Sequence, residues 1–220
     1  MTIRAFCIAL AAACHLAAIA QAQEAVDCDD CQDTPLVDRY PGAALVGAET
    51  KAFDEVTLPT GRYVETPAFT YEFPEKRTFE GKIDKLFYHG PKGRSGLEVY
   101  ANYADALAAA GFETVFACKG DEECGKNFTL GFTDLSPLPA GNITAAQGVP
   151  DAERPRYALL HLPRAEGDVY LALYVADLVQ RETSGVVITV VETKPMDTGL
   201  VTIDADALGK AMLAEGKVAL

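Results

Sequence analysis

The chain has no tryptophan, only three histidines, and 19 basic residues set against 32 acidic ones. The lack of tryptophan leaves the fold open. The shortage of histidine is more informative. His15 falls in an apolar N-terminal stretch, which leaves His89 and His161 as possible general bases. Neither stands in a Gly-x-Ser-x-Gly elbow or a His-Glu-x-x-His helix, so each reads as a structural histidine on a strand. A formal charge of −13 excludes nucleic acid and anionic lipid surfaces as partners, because both repel so acidic a chain. Repeats and low-complexity tracts are absent. Beyond residue 22 no apolar run is long enough to be a spanning helix.

What the N-terminus does contain is a three-part leader. Arg4 supplies a positive start, and Ala5 to Ala20 is apolar apart from His15. Ala20-Gln21-Ala22 is a small-x-small cleavage site. The layout predicts a signal peptide over 1–22 and a mature chain from Gln23, with cleavage after Ala20 as an alternative. A lipoprotein reading through Cys14 lacks the larger aliphatic residue expected three positions before it. Cleavage removes only Arg4 among the charged residues, leaving 18 basic against 32 acidic, in 198 residues. That length suits one sizeable core.

Cysteine usage agrees with an oxidising compartment. Cys7 and Cys14 belong to the leader; Cys28, Cys31, Cys118 and Cys124 remain. An even number in an exported chain reads as disulfides. Three connectivities are open, of which the local one, Cys28–Cys31 with Cys118–Cys124, is favoured. The second bridge would close a seven-residue loop worth about 2 kcal/mol on the chain-entropy view. A redox role for Cys28-x-x-Cys31 is disfavoured because Asp27, Asp29, Asp30 and Asp33 surround it and oppose a thiolate. Zinc is disfavoured by the five-residue spacing of the second pair. The acidic clusters Asp27–Asp33 and Asp121–Glu123 lack calcium-loop spacing and read as solvated turns. No metal or other cofactor is expected.

Residues 23–50 are polar and turn-rich and read as a flexible acidic lead-in, with a short strand at Ala44–Val46. Strands are expected at Phe53–Leu58, Arg62–Glu72 (interrupted by Pro67) and Arg77–His89, the last with a slip at its middle. Ser95 followed by Glu98 is a capping box that opens a helix, with Gly111 just past its end. Leu97, Tyr100, Ala104, Leu107 and Ala108 are expected on one face of that helix. A strand over Phe112–Ala117 completes a strand–helix–strand unit. Gly125 to Arg156 reads as loop. Two hairpin strands follow at Tyr157–Leu162 and Asp168–Val175, then a buried strand at Gly185–Val191. A short strand at Leu200–Ile203 and a helix capped by Asp204 end the chain.

These elements predict an α+β fold: one main helix packed on a mostly antiparallel sheet of about five or six strands, plus a C-terminal helix. The division is 1–22 signal peptide, 23–50 lead-in, 51–198 α+β domain, and 199–220 strand–helix bridge. One candidate ligand site stands out. Lys92, Arg94 and Ser95 lie just ahead of a helix N-terminus, where exposed amides and two cations would favour an anion. A turn and a cap account for the same residues without a ligand.

Beyond Asp33 the chain resembles the uncharacterised N-terminal domain of Gram-negative OmpA-family envelope proteins. The stretches that carry this are PLVDRYPGAALV, FDEVTLPTG, GRSGLEVYANYADALAAAGFETVFAC, DEECG and RYALLHLPRAEGDVYLALYV. MDTGLVTIDADALGKAMLAEGKVAL resembles the bridge into the OmpA-like domain. The resemblance implies a periplasmic or outer-membrane-associated protein with no catalytic residues, and it matches Cys118 and Cys124 to a cysteine-bearing turn. The wall-binding Asp and Arg of OmpA-like domains have no counterpart here, and the natural protein is expected to continue past Leu220. The expected role is a non-enzymatic structural or interaction module of the envelope, with an envelope protein or cell-wall-associated partner. The alternatives are a periplasmic binding module for a small anionic or amphiphilic ligand and a hydrolase with a carboxylate site. A pocket with convergent polar groups would favour the former, and two close, buried carboxylates in a cleft the latter.

Overall fold

Strand β7 (Val169–Leu178) is buried along all ten residues, and β8 (Thr183–Glu192) along all but its first. The reason is position. They are inner strands of a sheet covered on both faces, so both sides of the pleat must be apolar. Tyr170, Ala172 and Tyr174 face one buried cluster, while Leu171, Leu173 and Val175 face the other. The computed structural model describes residues 25–139 and 152–202. The predicted signal peptide and the helix expected from Asp204 lie outside the described residues.

The remaining strands are β1 (Ala44–Pro59), β2 (Val64–Glu65), β3 (Tyr71–Glu72), β4 (Lys76–His89), β5 (Glu113–Lys119) and β6 (Glu153–Leu162). Helices are α1 (Gly96–Ala109), α2 (Gly120–Cys124) and α3 (Phe128–Leu135). Six strands form one sheet in the order β1-β4-β8-β7-β6-β5, and every neighbouring pair is antiparallel. β2 and β3 make a separate small hairpin. β4 and β5 are therefore not partners. The chain between them crosses three intervening strands through α1.

The expected fold class is corrected by this topology. Strands take 43% of the described residues and helices 18%. The molecule is mostly antiparallel sheet with three short helices, not a main helix packed on a sheet. Two further elements differ from the sequence reading. The sequence reading has Ala44–Val46 and Phe53–Leu58 as two separate strands, yet β1 is one 16-residue edge strand with an exposed middle. Two register shifts, at Leu45/Gly47 and Lys51/Asp54, absorb the break in alternation. The segment read as loop after Gly125 contains α3, where Phe128 and Phe132 stand one turn apart and fully buried.

The helix cap was read correctly and the helix face in part: Leu107 is buried and Tyr100 packs against the same cluster, as expected. Ser95 Oγ accepts the Glu98 amide at 3.2 Å. The Glu98 carboxylate does not reach back; it binds Arg94 at 2.9 Å and Tyr40 Oη at 3.1 Å. The buried side of α1 is Val99, Tyr103 and Leu107, and Leu97 is exposed. Leu200 and Val201, expected in a strand, are exposed and irregular. Pro67 sits in the turn of the β2–β3 hairpin rather than within a strand.

Residues 27–43 lie against the face that also carries α1, and β1 runs across the boundary expected between residues 50 and 51. The Cys28 amide donates to Leu45 O, and Asp27 accepts the Leu45 amide, both at 2.8 Å. Arg39 holds Asp27 and Asp33 together at 2.7 and 2.6 Å. Asp33 in turn accepts the Tyr88 hydroxyl at 2.9 Å, and the Tyr40 amide donates to Tyr103 Oη at 2.8 Å. Burial pushes the Tyr103 phenol up to about 12, so it stays a neutral hydroxyl.

Candidate functional site

At the end of the sheet where β4 finishes, four stretches of chain line a cleft of about 330 Å³, the first of them at Ala25. The start of β1 contributes Ala44, the end of β4 contributes His89, and the following turn contributes Gly90 and Lys92. The turn between β7 and β8 contributes Arg181, and the first residue of β8 contributes Thr183. The two turns are locked to each other. The Gly90 amide donates to Ser184 O at 2.8 Å, and the Thr183 hydroxyl donates to Gly90 O. The approach is so close that a Cβ at Gly90 would overlap Ser184 Oγ. His89 is buried and meets the Phe87 ring edge-on at a centroid distance of 5.3 Å. His89, Lys92 and Arg181 each take part in an interaction within the molecule.

The three residues singled out from the sequence are not brought to one place in this cleft. Lys92 lines it. Ser95 Oγ is used as the α1 cap, and Arg94 pairs with Glu98 across one turn of the helix. The start of α1 already has an anion. Asp177 Oδ1, from β7, accepts the Gly96 amide at 2.7 Å, and Asp177 Oδ2 accepts Arg154 Nε at 2.8 Å. The positive end of α1 is thus engaged by a carboxylate of the fold itself. Arg181, which joins Lys92 at the cleft, was missed. It lies 89 positions further on in the sequence, and only the β4–β8 pairing brings it near.

The cysteines pair locally. Cys28 and Cys31 stand at disulfide distance with a Cα separation of 5.5 Å, and Cys118 and Cys124 with one of 5.0 Å. The second pair ties the end of β5 to α2 and is buried.

Two buried carboxylates do approach each other. Asp84 and Glu192, on adjacent strands β4 and β8, each contact the Lys82 ammonium, at 3.0 and 3.3 Å. Asp84 also accepts from Thr34 at 3.1 Å and Thr50 at 2.8 Å, and Glu192 accepts from Arg164 at 2.9 Å. Burial pushes the Glu192 carboxyl up, but Arg164 and Lys82 outweigh it and hold the group below its usual range. A carboxylate kept ionised and surrounded by donors is a structural counter-ion, not a proton donor. His161 Nε2 lies 3.0 Å from Asp168 Oδ2 but is buried without a hydrogen bond of good geometry, and its ring stacks on Tyr170. Among the described residues no group of three or more His, Cys, Asp or Glu side chains is arranged to hold a metal ion, and no helix is long and apolar enough to cross a membrane.

Neither protein-family models nor curated proteins yield a match to this chain.

Proposed function

We propose that the protein is a non-enzymatic structural or interaction module of the cell envelope, exported through its N-terminal leader. The observation that carries this reading is the local pairing of all four cysteines beyond the leader at disulfide distance. Such bonds persist in oxidising compartments and are rare where thiols are kept reduced. The use of its acid–base groups supports the non-catalytic part. Asp84, Glu192 and Asp177 are each engaged in pairs that join strands or fix a helix end. The resemblance to the N-terminal domain of OmpA-family proteins supports an envelope or cell-wall-associated partner.

The test is expression of the full chain from its own start in a Gram-negative host, followed by cell fractionation and thiol alkylation. The expected result is periplasmic or outer-membrane-associated protein with Cys28, Cys31, Cys118 and Cys124 protected from alkylation until reduced. Protein held in the cytoplasm with those thiols reactive would overturn the reading. A second reading, a binding module for a small anionic or amphiphilic ligand, is favoured by one observation: the cleft that Lys92 and Arg181 line.

A further inference from the structure

Among the described lysines, Lys82 and Lys85 on β4 are half-buried and the rest are exposed. Lys82 is held by Asp84 and Glu192 at 3.0 and 3.3 Å. Lys85 is not held in this way: its ammonium makes no ion pair and no hydrogen bond among the described residues. Neither neighbour in the sheet supplies one. Glu49, opposite it on β1, turns to Lys51 at 3.1 Å. Thr189, opposite it on β8, is fully buried, and its own hydroxyl has no hydrogen-bond partner.

Lys85 lies on the face of the sheet that carries Ile83 and Phe87, because alternate residues of a strand share a face. A cleft of about 220 Å³ opens there, lined by Lys85 and Ile83, by Glu49 and Asp54 of β1, and by Pro137 and Leu138. Burial pushes the Lys85 ammonium below its ordinary value of 10.5, and the charges of Glu49 and Asp54 restore only part of the difference. A lysine amine that is desolvated and not tied to a carboxylate is the form that attacks a carbonyl carbon. The cleft also selects. It is smaller than the roughly 300–1,000 Å³ that holds drug-sized ligands, so it suits a molecule of a few heavy atoms. The nearby carboxylates disfavour a reagent that brings a negative charge of its own.

We propose that Lys85 captures small uncharged aldehydes covalently, as the imine of its side-chain amine. The neutral nitrogen adds to the carbonyl carbon, so a C–N bond forms as the C–O π bond breaks. The resulting carbinolamine loses the carbonyl oxygen as water, which carries off both amine hydrogens and leaves a C=N bond. Nothing is oxidised or reduced, and water reverses the step. The capture is a property of one side chain and needs neither export nor an envelope partner, so it stands or falls separately from the function proposed above.

The experiment treats the full chain with propionaldehyde, traps the imine with cyanoborohydride, and follows each lysine by peptide mass mapping. At about pH 7 Lys85 should be alkylated at least about fivefold faster than Lys76 and Lys126, which are exposed. At about pH 10 ordinary lysines also carry a large neutral fraction, and the lead should shrink. Asp54→Asn removes a charge that keeps the proton on Lys85 and should raise its rate at about pH 7 roughly twofold. Glyoxylate, an anionic aldehyde, should prefer Lys85 over Lys76 less than propionaldehyde does. Circular dichroism reports that the Asp54→Asn protein is folded. Alkylation of Lys85 no faster than that of Lys76 and Lys126 at about pH 7, or a lead undiminished at about pH 10, would overturn the proposal. So would a rate untouched by Asp54→Asn, or a preference for Lys85 that is greater with glyoxylate.

Discussion

Asp177 Oδ1 accepts the Gly96 amide at 2.7 Å, so a carboxylate from the middle of the sheet sits at the first turn of α1. This contact joins residues 81 positions apart and is buried. Asp177→Ala should cost about 2–3 kcal/mol, the range for a hydrogen bond to a charged group whose donor is left buried and unpaired. Asp177→Asn keeps an acceptor oxygen and should cost clearly less. Urea denaturation of the three proteins measures both differences. Equal midpoints for Asp177→Ala and the parent would show that the contact contributes nothing.

The neighbouring cap offers a smaller effect. Ser95 Oγ accepts the Glu98 amide at an exposed site, its one hydrogen bond among the described residues. Ser95→Ala should therefore lower stability by about 1 kcal/mol. Ser95→Asp should restore it, since an aspartate accepts the same amide and adds a favourable charge at the helix start. A Ser95→Asp variant less stable than Ser95→Ala would contradict the cap assignment.

Local signals were legible, and long-range ones were not. Ser95, Glu98 and Gly111 mark the ends of α1 because capping is a contact between residues a few positions apart. The hairpin of β6 and β7 and the buried run of β8 could be read because alternation and β-branching report burial directly. One edge strand was read as two where it carries charges. Glu49 and Lys51 fall between the two strands expected there, but towards the exposed middle of β1 they are compatible with sixteen residues of strand. The candidate site was half legible. The turn before the helix named Lys92, but Arg94 and Ser95 proved to serve the helix. Arg181 could not be found without knowing that β8 lies beside β4.

Stability should fall in acid through two named groups. The hydrogen bond from Arg39 holds the Asp27 carboxyl below its ordinary value of 3.8, against burial and with help from the Leu45 amide. Glu192 lies below 4.5 because Arg164 and Lys82 outweigh the effect of burial. For both groups the folded value is depressed. Their contribution is complete above the unfolded values and is lost as pH falls through the folded ones. Thermal midpoints should therefore be unaffected by these groups from neutral pH to about pH 5 and decline below about pH 4.5. Arg39→Ala removes the cause at Asp27 and should flatten the acid limb as well as lower the plateau. An acid limb of unchanged depth in Arg39→Ala would show that the Arg39 pair is not among its sources.

The corner where β5 meets α2 sets up a comparison between a covalent and a steric constraint. Cys118 and Cys124 stand at disulfide distance there, and Gly125 follows immediately with φ of 99°. The Gly125 amide closes α2 onto Asp121 O at 3.0 Å, and the Tyr63 amide donates to Cys124 O at 2.8 Å. Tyr63 is thereby drawn so close that a Cβ at Gly125 would overlap its carbonyl oxygen, while a Cβ at Gly131 would meet its ring at 2.5 Å. The same ring packs on Phe73 at 4.6 Å, in the cluster that holds Phe128 and Phe132. An alanine at position 125 must take up an unfavourable φ and push the Tyr63 backbone away, which separates that ring from the core. The cost should be about 3 kcal/mol or more, in the range of strained backbone added to lost packing. Opening the seven-residue loop by Cys118→Ala with Cys124→Ala should cost about 2 kcal/mol. Because Gly125 and Cys124 share the contact to Tyr63, combining all three changes should cost less than the sum. Denaturant midpoints of the single, double and triple variants test the ordering. A Gly125→Ala protein within about 0.5 kcal/mol of the parent would mean that Tyr63 is free to move and that the corner is held by the cysteines alone.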